Sequence, residues 1–207
     1  MMEDLHIELI QMMENAGRNL AELGIRLFAP GRVVVLAGPG GNGGGGLVAA
    51  RHLSNRGVRV NVVLSEAGRM MPVPQHQLDI LTRMSVEIVP KPTHGDLVID
   101  ALIGYSLRGN PEGRTAQLIA WANEQPAPRL SLDTPSGLDL DSGEARSPCV
   151  DAAATMTVAL PKRGLLDAAV VGDLYLADIS VPRVVYERMG LEVPMLFSSG
   201  PLVRLAR

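Results

Sequence analysis

Four oxygen-bearing side chains stand where chemistry could use them: Asn42 in GPGGNGGGG, Asp100 closing DLVID, and Asp133 and Ser136 in DTPSG. Each stretch follows a short apolar run that reads as a buried parallel strand. In an open parallel sheet, ligands sit outside the carboxyl ends of the strands, at a switch in strand order. Amide, carboxylate and hydroxyl oxygens are hard donors, which suit a hard cation rather than zinc or copper. Each residue also has a plain structural use. Asn42 favours a left-handed turn, and strand-end aspartates such as Asp100 and Asp133 cap the turns that follow. The glycine run adds a site of another kind. Residues 47–53 have helical character, so the glycines are expected in a loop between a strand end and a helix start. Unpaired amides there favour anionic groups, phosphates above all.

The same run contains Gly38-x-Gly40-x-x-Gly43, a literal dinucleotide fingerprint. Glu66 follows the second expected strand, roughly where a ribose-binding acid would lie, so a hydride-transfer dehydrogenase is one reading. Seven of the nine residues from Gly38 to Gly46 are glycine, so the match is weak. A P-loop is excluded, because no Lys-Ser or Lys-Thr follows the glycines. His6, His52, His76 and His94 are scattered and read as surface or capping residues. Cys149 has no nearby histidine and reads as a structural thiol.

The elements that must carry these residues follow from periodicity. Leu5–Phe28 repeats apolar residues at helical spacing and is stopped by Pro30. Its Met12 and Met13 read as core filler. Strands are expected at 32–37, 59–64, 86–89, 96–101, 129–133, 153–160 and 173–177, the last closing the sheet. Helices are expected at 47–55, 75–84, 115–123 and 182–189. This alternation argues for a mostly parallel sheet covered by helices on both faces, an α/β fold.

The totals set bounds. The 207 residues fit one domain, with 1–30 an N-terminal helix, 31–190 an α/β core and 191–207 a C-terminal tail. A net charge of −3 offers no basic surface for nucleic acid. One cysteine rules out an internal disulfide framework. With no secretory signal and no apolar run long enough to span a bilayer, a cytoplasmic protein is expected.

Five stretches in order, MENAG (13–17), GPGGNGGGGLVAARHL (38–53), DALIGYSLRG (100–109), DTPSGLDLDSG (133–143) and PKRGL (161–165), resemble the YjeF N-terminal domain family, whose enzymes are NAD(P)H-hydrate epimerases. The resemblance implies a Rossmann-like three-layer αβα sandwich, usually a homodimer. It implies interconversion of the two C6 epimers of hydrated NADH or NADPH, with a separate NAD(P)H-hydrate dehydratase completing the repair. It also implies a bound potassium ion with Asn42, Asp100 and Ser136 as ligands. The hydrated nucleotide would then meet Gly41, Asn42, Gly43, Gly44 and Gly45, the segment Gly104, Tyr105, Ser106, Leu107, Arg108, Gly109 and Asn110, and Asp133. Loss and return of the C6 hydroxyl passes through a cationic ring, and Asp133 is the candidate general acid–base. Lys162, in PKRGL, either reaches a phosphate or is an exposed structural lysine.

The family loop usually reads GPGNNGGDG, so Gly41 and Gly45 replace an asparagine and an aspartate. An alternative reading follows: a catalytically impaired binding or dimerisation module on the same fold.

Overall fold

Valine, isoleucine and leucine runs bounded by glycine and proline build the sheet, and their burial on both faces explains why they do not alternate with polar residues. The computed structural model describes residues 2–206. In chain order the elements are α1 (Met2–Leu5), α2 (Leu9–Phe28), β1 (Arg32–Ala37), α3 (Gly41–Ser54), β2 (Arg59–Leu64), α4 (Pro72–Arg83), β3 (Glu87–Ile88), β4 (Leu97–Ala101), α5 (Gly113–Glu124), β5 (Arg129–Leu132), β6 (Ala154–Val158), β7 (Asp173–Ala177), α6 (Arg183–Arg188) and β8 (Leu202–Arg204). The strands lie in the order β3-β2-β1-β4-β5-β6-β7-β8. All pairs are parallel except β7–β8.

Successive residues of β1 face opposite layers. Val33, Val35 and Ala37 pack with Leu20, Leu23, Leu47, Leu53 and Leu81 of α2, α3 and α4. Val34 and Leu36 pack with Leu118, Ile119 and Ala122 of α5. The result is the expected αβα sandwich with a mostly parallel sheet. Among the described residues, no helix is long and apolar enough to cross a membrane.

Three departures from the sequence expectation have physical causes. The first helix is broken: His6 takes a φ of 51°. The chain then restarts through a capping box in which the Glu8 amide donates to Gln11 Oε1 at 2.7 Å. Beyond residue 190 the chain adds β8, which was not expected because LVR is too short to display a period. The third departure matters most. The glycine run is not a loop: α3 begins at Gly41, and its first bond runs from the Gly44 amide to Gly40 O at 3.0 Å.

Glycine costs about 1 kcal/mol relative to alanine inside a helix, so propensity alone argues against this start. Close packing reverses that argument. A Cβ would sit 1.8 Å from Gly38 O at Gly43, 2.5 Å from Met13 Sδ at Gly44, and 2.6 Å from Ala101 Cβ at Gly46. The missing side chains let α3 lie directly against the β1 turn, α2 and β4.

Candidate active site

The sheet changes direction at β1. The chain runs outward from it through β2 to β3, then returns to place β4 on its other side. β1 and β4 end together, with Ala37 opposite Ala101. The loops that leave them diverge, which is the geometry that opens a ligand crevice. A cleft of about 790 Å³ lies there.

Its floor and walls come from residues far apart in sequence. Gly41, Asn42 and Gly45 of α3 line it, with Gly104, Tyr105, Ser106, Leu107, Arg108 and Asn110 from the turn after β4, and Asp133 from the turn after β5. The amides of the first turn of α3 have no intrahelical acceptor, and they face an anion best. Gly43 and Gly44 do not line the cleft, since both are buried in contacts with Gly38 and Met13. Gly109 is also outside the lining, at a turn with φ +68°.

Other lining residues were not among those implied by the family resemblance, although Glu66 had been named as a candidate ribose-binding acid. Leu9, Met12, Met13 and Ala16 make one wall from α2, and Glu66 and Met71 make part of another. Met13 is buried, as expected of core filler, yet both it and Met12 line the cleft. The helical apolar stripe was the signal available, and it cannot tell a core face from a ligand-facing one.

Asp133 lies just past β5 rather than within it. Its φ of 65° ends the strand and turns the chain. Such a conformation is uncommon outside glycine and costs about 1–3 kcal/mol. Two short backbone bonds hold it: Asp133 N donates to Met156 O at 2.7 Å, and Thr134 N to Leu132 O at 2.8 Å. Lys162 approaches from the turn after β6, and its Nζ lies 2.5 Å from Asp133 Oδ1. Lys162 therefore serves as the partner of Asp133, a use neither sequence reading of it named. The other carboxylate oxygen, Oδ2, and Asn42 Cγ both lie 3.3 Å from where a Gly104 Cβ would stand. Asn42, Gly104 and Asp133 thus converge at one point.

Asp100 and Ser136 form a second cluster. Asp100 is wholly buried, and its register partner on β5 is Ser131. Ser131 Oγ and the Ser136 amide each donate to Oδ2 at 2.8 Å, and Ser136 Oγ donates to Oδ1 at 2.5 Å. The Ile103 amide donates to Ser136 Oγ at 2.9 Å. This network ties the turn after β5 to the end of β4, the capping role open to a strand-end aspartate. Burial pushes the Asp100 carboxyl above the usual carboxylate range, and the Ser136 and Ser131 donors only partly offset it.

A potassium ion would ask hard oxygen donors of Asn42, Asp100 and Ser136. The donors are a carboxylate, a hydroxyl and an amide, all oxygen-bearing and hard. Ile103 and Gly104 are consecutive, so the Ser136 contact to Ile103 and the Asn42 approach to Gly104 put all three residues around one short segment. Among the described residues, Asn42 Nδ2 is buried with no hydrogen-bond partner. A half-turn of that amide would offer its oxygen instead. No group of three or more His, Cys, Asp or Glu suited to a metal occurs among the described residues. The donor chemistry is that of a hard cation rather than of zinc or copper.

Cys149 and Asp139 do not line the cleft. Burial, assisted by the carboxylates of Asp100 and Asp151, pushes the Cys149 thiol up to about 12. Arg146 holds the Asp139 carboxyl down at about 2.

Comparison with known proteins agrees with this architecture. The chain is 47% identical over 206 residues to an NAD(P)H-hydrate epimerase of Dehalogenimonas lykanthroporepellens, covering 95% of this chain and 84% of that one. It is 42% identical to an NAD(P)H-hydrate epimerase of Truepera radiovictrix, covering 89% of this chain and 86% of the other. A bifunctional NAD(P)H-hydrate repair enzyme of Hyperthermus butylicus is 41% identical over 87% of this chain, which spans 36% of that longer protein. A crystal structure of yeast ynu0 superposes with a TM-score of 0.83 at 24% identity, over 99% of this chain and 94% of the yeast chain, and shows the shared fold. The family model described as YjeF-related protein N-terminus matches residues 9–164. This chain belongs to that family, as its five ordered motifs had implied.

Proposed function

We propose that this chain is an NAD(P)H-hydrate epimerase, an isomerase that interconverts the two C6 epimers of hydrated NADH or NADPH. The names of the relatives from Dehalogenimonas and Truepera support the activity. Within the chain, the observation that carries it is the Asp133 carboxylate, held in a strained turn on the cleft floor beside Asn42 and Gly104.

The chemistry asks little more. The C6 hydroxyl takes up a proton from the Asp133 carboxyl and leaves as water, and the ring nitrogen's electron pair stabilises the resulting cation. A carboxylate close to that ring lowers the barrier by opposing the new charge. Water then adds to the other face of C6 and gives a proton to Asp133, so the other epimer forms with no net change in atoms or electrons. The α3 N-terminus suits the nucleotide phosphates. Tyr105, 68% exposed at the cleft edge, offers a face for a base to stack on.

Asn42, Asp100 and Ser136 would hold a potassium ion. When bound, the ion supplies a fixed positive charge beside the cleft. A bifunctional repair enzyme among the relatives supports pairing with a second repair activity, which we read as a separate NAD(P)H-hydrate dehydratase. A cytoplasmic homodimer completes the proposal.

The alternative of an impaired module rested on Gly41 and Gly45. Gly41 faces open space and Gly45 packs on Leu132, so neither glycine closes the cleft. The enzyme reading is favoured by identity over nearly the whole chain. Its test is to follow one purified epimer of hydrated NADH by chromatography. Equilibration faster than without protein supports the proposal, and an unchanged rate overturns it.

A further inference from the structure

This inference rests on the epimerase reading and deepens it. We propose that Lys162 is a positioning residue of the reaction: it clamps one oxygen of Asp133 so that the other is presented to the substrate.

An ammonium group carries three hydrogens, and three acceptors meet this one. They are Asp133 Oδ1 at 2.5 Å, Thr157 Oγ1 at 2.9 Å and Val158 O at 2.9 Å. A lysine with every hydrogen engaged has little freedom left to swing toward a phosphate. It is also poorly exposed, with 23% of the side chain accessible, against 14% for Asp133. A pair so placed is weakly screened, unlike a surface ion pair. Thr157 completes the clamp. Its hydroxyl accepts from Lys162 and sits 3.4 Å from Asp133 Oδ1, to which it donates.

The two carboxylate oxygens therefore have different surroundings. Oδ1 faces Lys162 and Thr157, on the side of β6. Oδ2 faces Gly104 and Asn42, and among the described residues it accepts no hydrogen bond. Gly104 is the residue that makes this possible, since a Cβ there would press on both Oδ2 and Asn42. An acid–base group must hold its reacting atom within a few tenths of an ångström, and small misplacements cost large factors in rate. The carboxylate of Asp133 has one unengaged oxygen, aimed into the cleft, because Lys162 occupies the other.

The test separates a clamp from a binding or folding role. For Lys162→Met, kcat for epimer exchange is expected to fall about a hundredfold with KM within threefold of wild type. The double variant Lys162→Met with Asp133→Asn is expected to match Asp133→Asn alone within twofold, because Lys162 acts through Asp133. Thr157→Val, which keeps the ion pair, is expected to lower kcat five- to twentyfold and to serve if Lys162→Met does not fold. Unchanged kcat in a folded Lys162 or Thr157 variant overturns the proposal. So does a rise in KM alone, or a double variant whose loss is the product of the two singles. Wild-type protein without epimer exchange overturns the epimerase reading and this proposal with it; active wild type with an unaffected Lys162 variant overturns this proposal only.

Discussion

Replacing Gly43 with alanine probes whether the glycine run is a packed helix or a flexible loop. In the helix, the new Cβ would lie 1.8 Å from Gly38 O and 2.6 Å from Gly38 C, both backbone atoms. An ordinary C···O approach is about 3.3 Å, so α3 and the β1 turn must part by roughly 1.5 Å. Overpacking costs about 1–3 kcal/mol, and rigid backbone partners put this case near 3. Alanine returns about 1 kcal/mol of helix propensity, leaving a loss of about 2. At about 2.1 cal/mol/K per residue, the 207 residues give an unfolding entropy near 0.43 kcal/mol/K, so Tm falls by about 5 °C. Gly41→Ala is the control. Its Cβ meets nothing within 4 Å. It gains at most about 1 kcal/mol, raising Tm by about 2 °C. The two variants should therefore move apart by about 3 kcal/mol, roughly a hundredfold in the folding equilibrium. Thermal and urea unfolding monitored by circular dichroism measure both. Equal shifts, or a neutral Gly43→Ala, would refute the packed-helix argument.

Other expectations follow from the site and its surroundings. Asp133→Asn should lower epimer exchange about 10²–10⁴-fold while nucleotide binding by calorimetry changes little; turnover equal to wild type removes Asp133 from the mechanism. Ser136→Ala strips a donor from Asp100 Oδ1 and an acceptor from the Ile103 amide. That should cost about 2–4 kcal/mol in unfolding, and an unchanged Tm would contradict the network. Cys149, with its thiol held at about 12, should react with a disulfide reagent at pH 8 roughly a thousandfold more slowly than in the unfolded chain. Equal rates in the two states would show an open thiol. Asp139 titrates at about 2, first through its hydrogen bond to Arg146. A depressed carboxyl contributes stability that is full above its unfolded value and is lost as pH falls through the folded one, here between about 4 and 2. Arg146→Ala should return the Asp139 midpoint toward the ordinary range in an NMR titration; a midpoint that stays put would sink the assignment.

Much of the fold was legible because its signals are local. The apolar runs of β1, β2 and β4 and the stripe of α2 needed no tertiary knowledge. Strand-end placement was enough to single out Asp100 and Asp133 before any coordinates. What could not be read depended on contacts between distant segments. The glycines from Gly41 to Gly46 look like a loop by propensity, and only their neighbours Gly38, Met13, Leu132 and Ala101 make them a helix. Asp133 was expected to end β5, but its positive φ takes it out of the strand. Lys162 could be noticed but not assigned, because its partner lies 29 residues away and meets it only when β6 pairs with β5. Met12 was expected in the core, and periodicity cannot show that its stripe continues into a cleft.

The central claim is that a carboxylate held beside a nucleotide cradle equilibrates hydrated nicotinamide. The most direct measurement loads one purified C6 epimer of hydrated NADH with catalytic amounts of wild type or Asp133→Asn and follows both epimers by chromatography. Rapid approach to the equilibrium mixture with wild type, at a rate proportional to protein, and a near-spontaneous rate with the variant, are predicted. Spontaneous rates with both proteins, given a folded wild type that binds the nucleotide, would contradict the account.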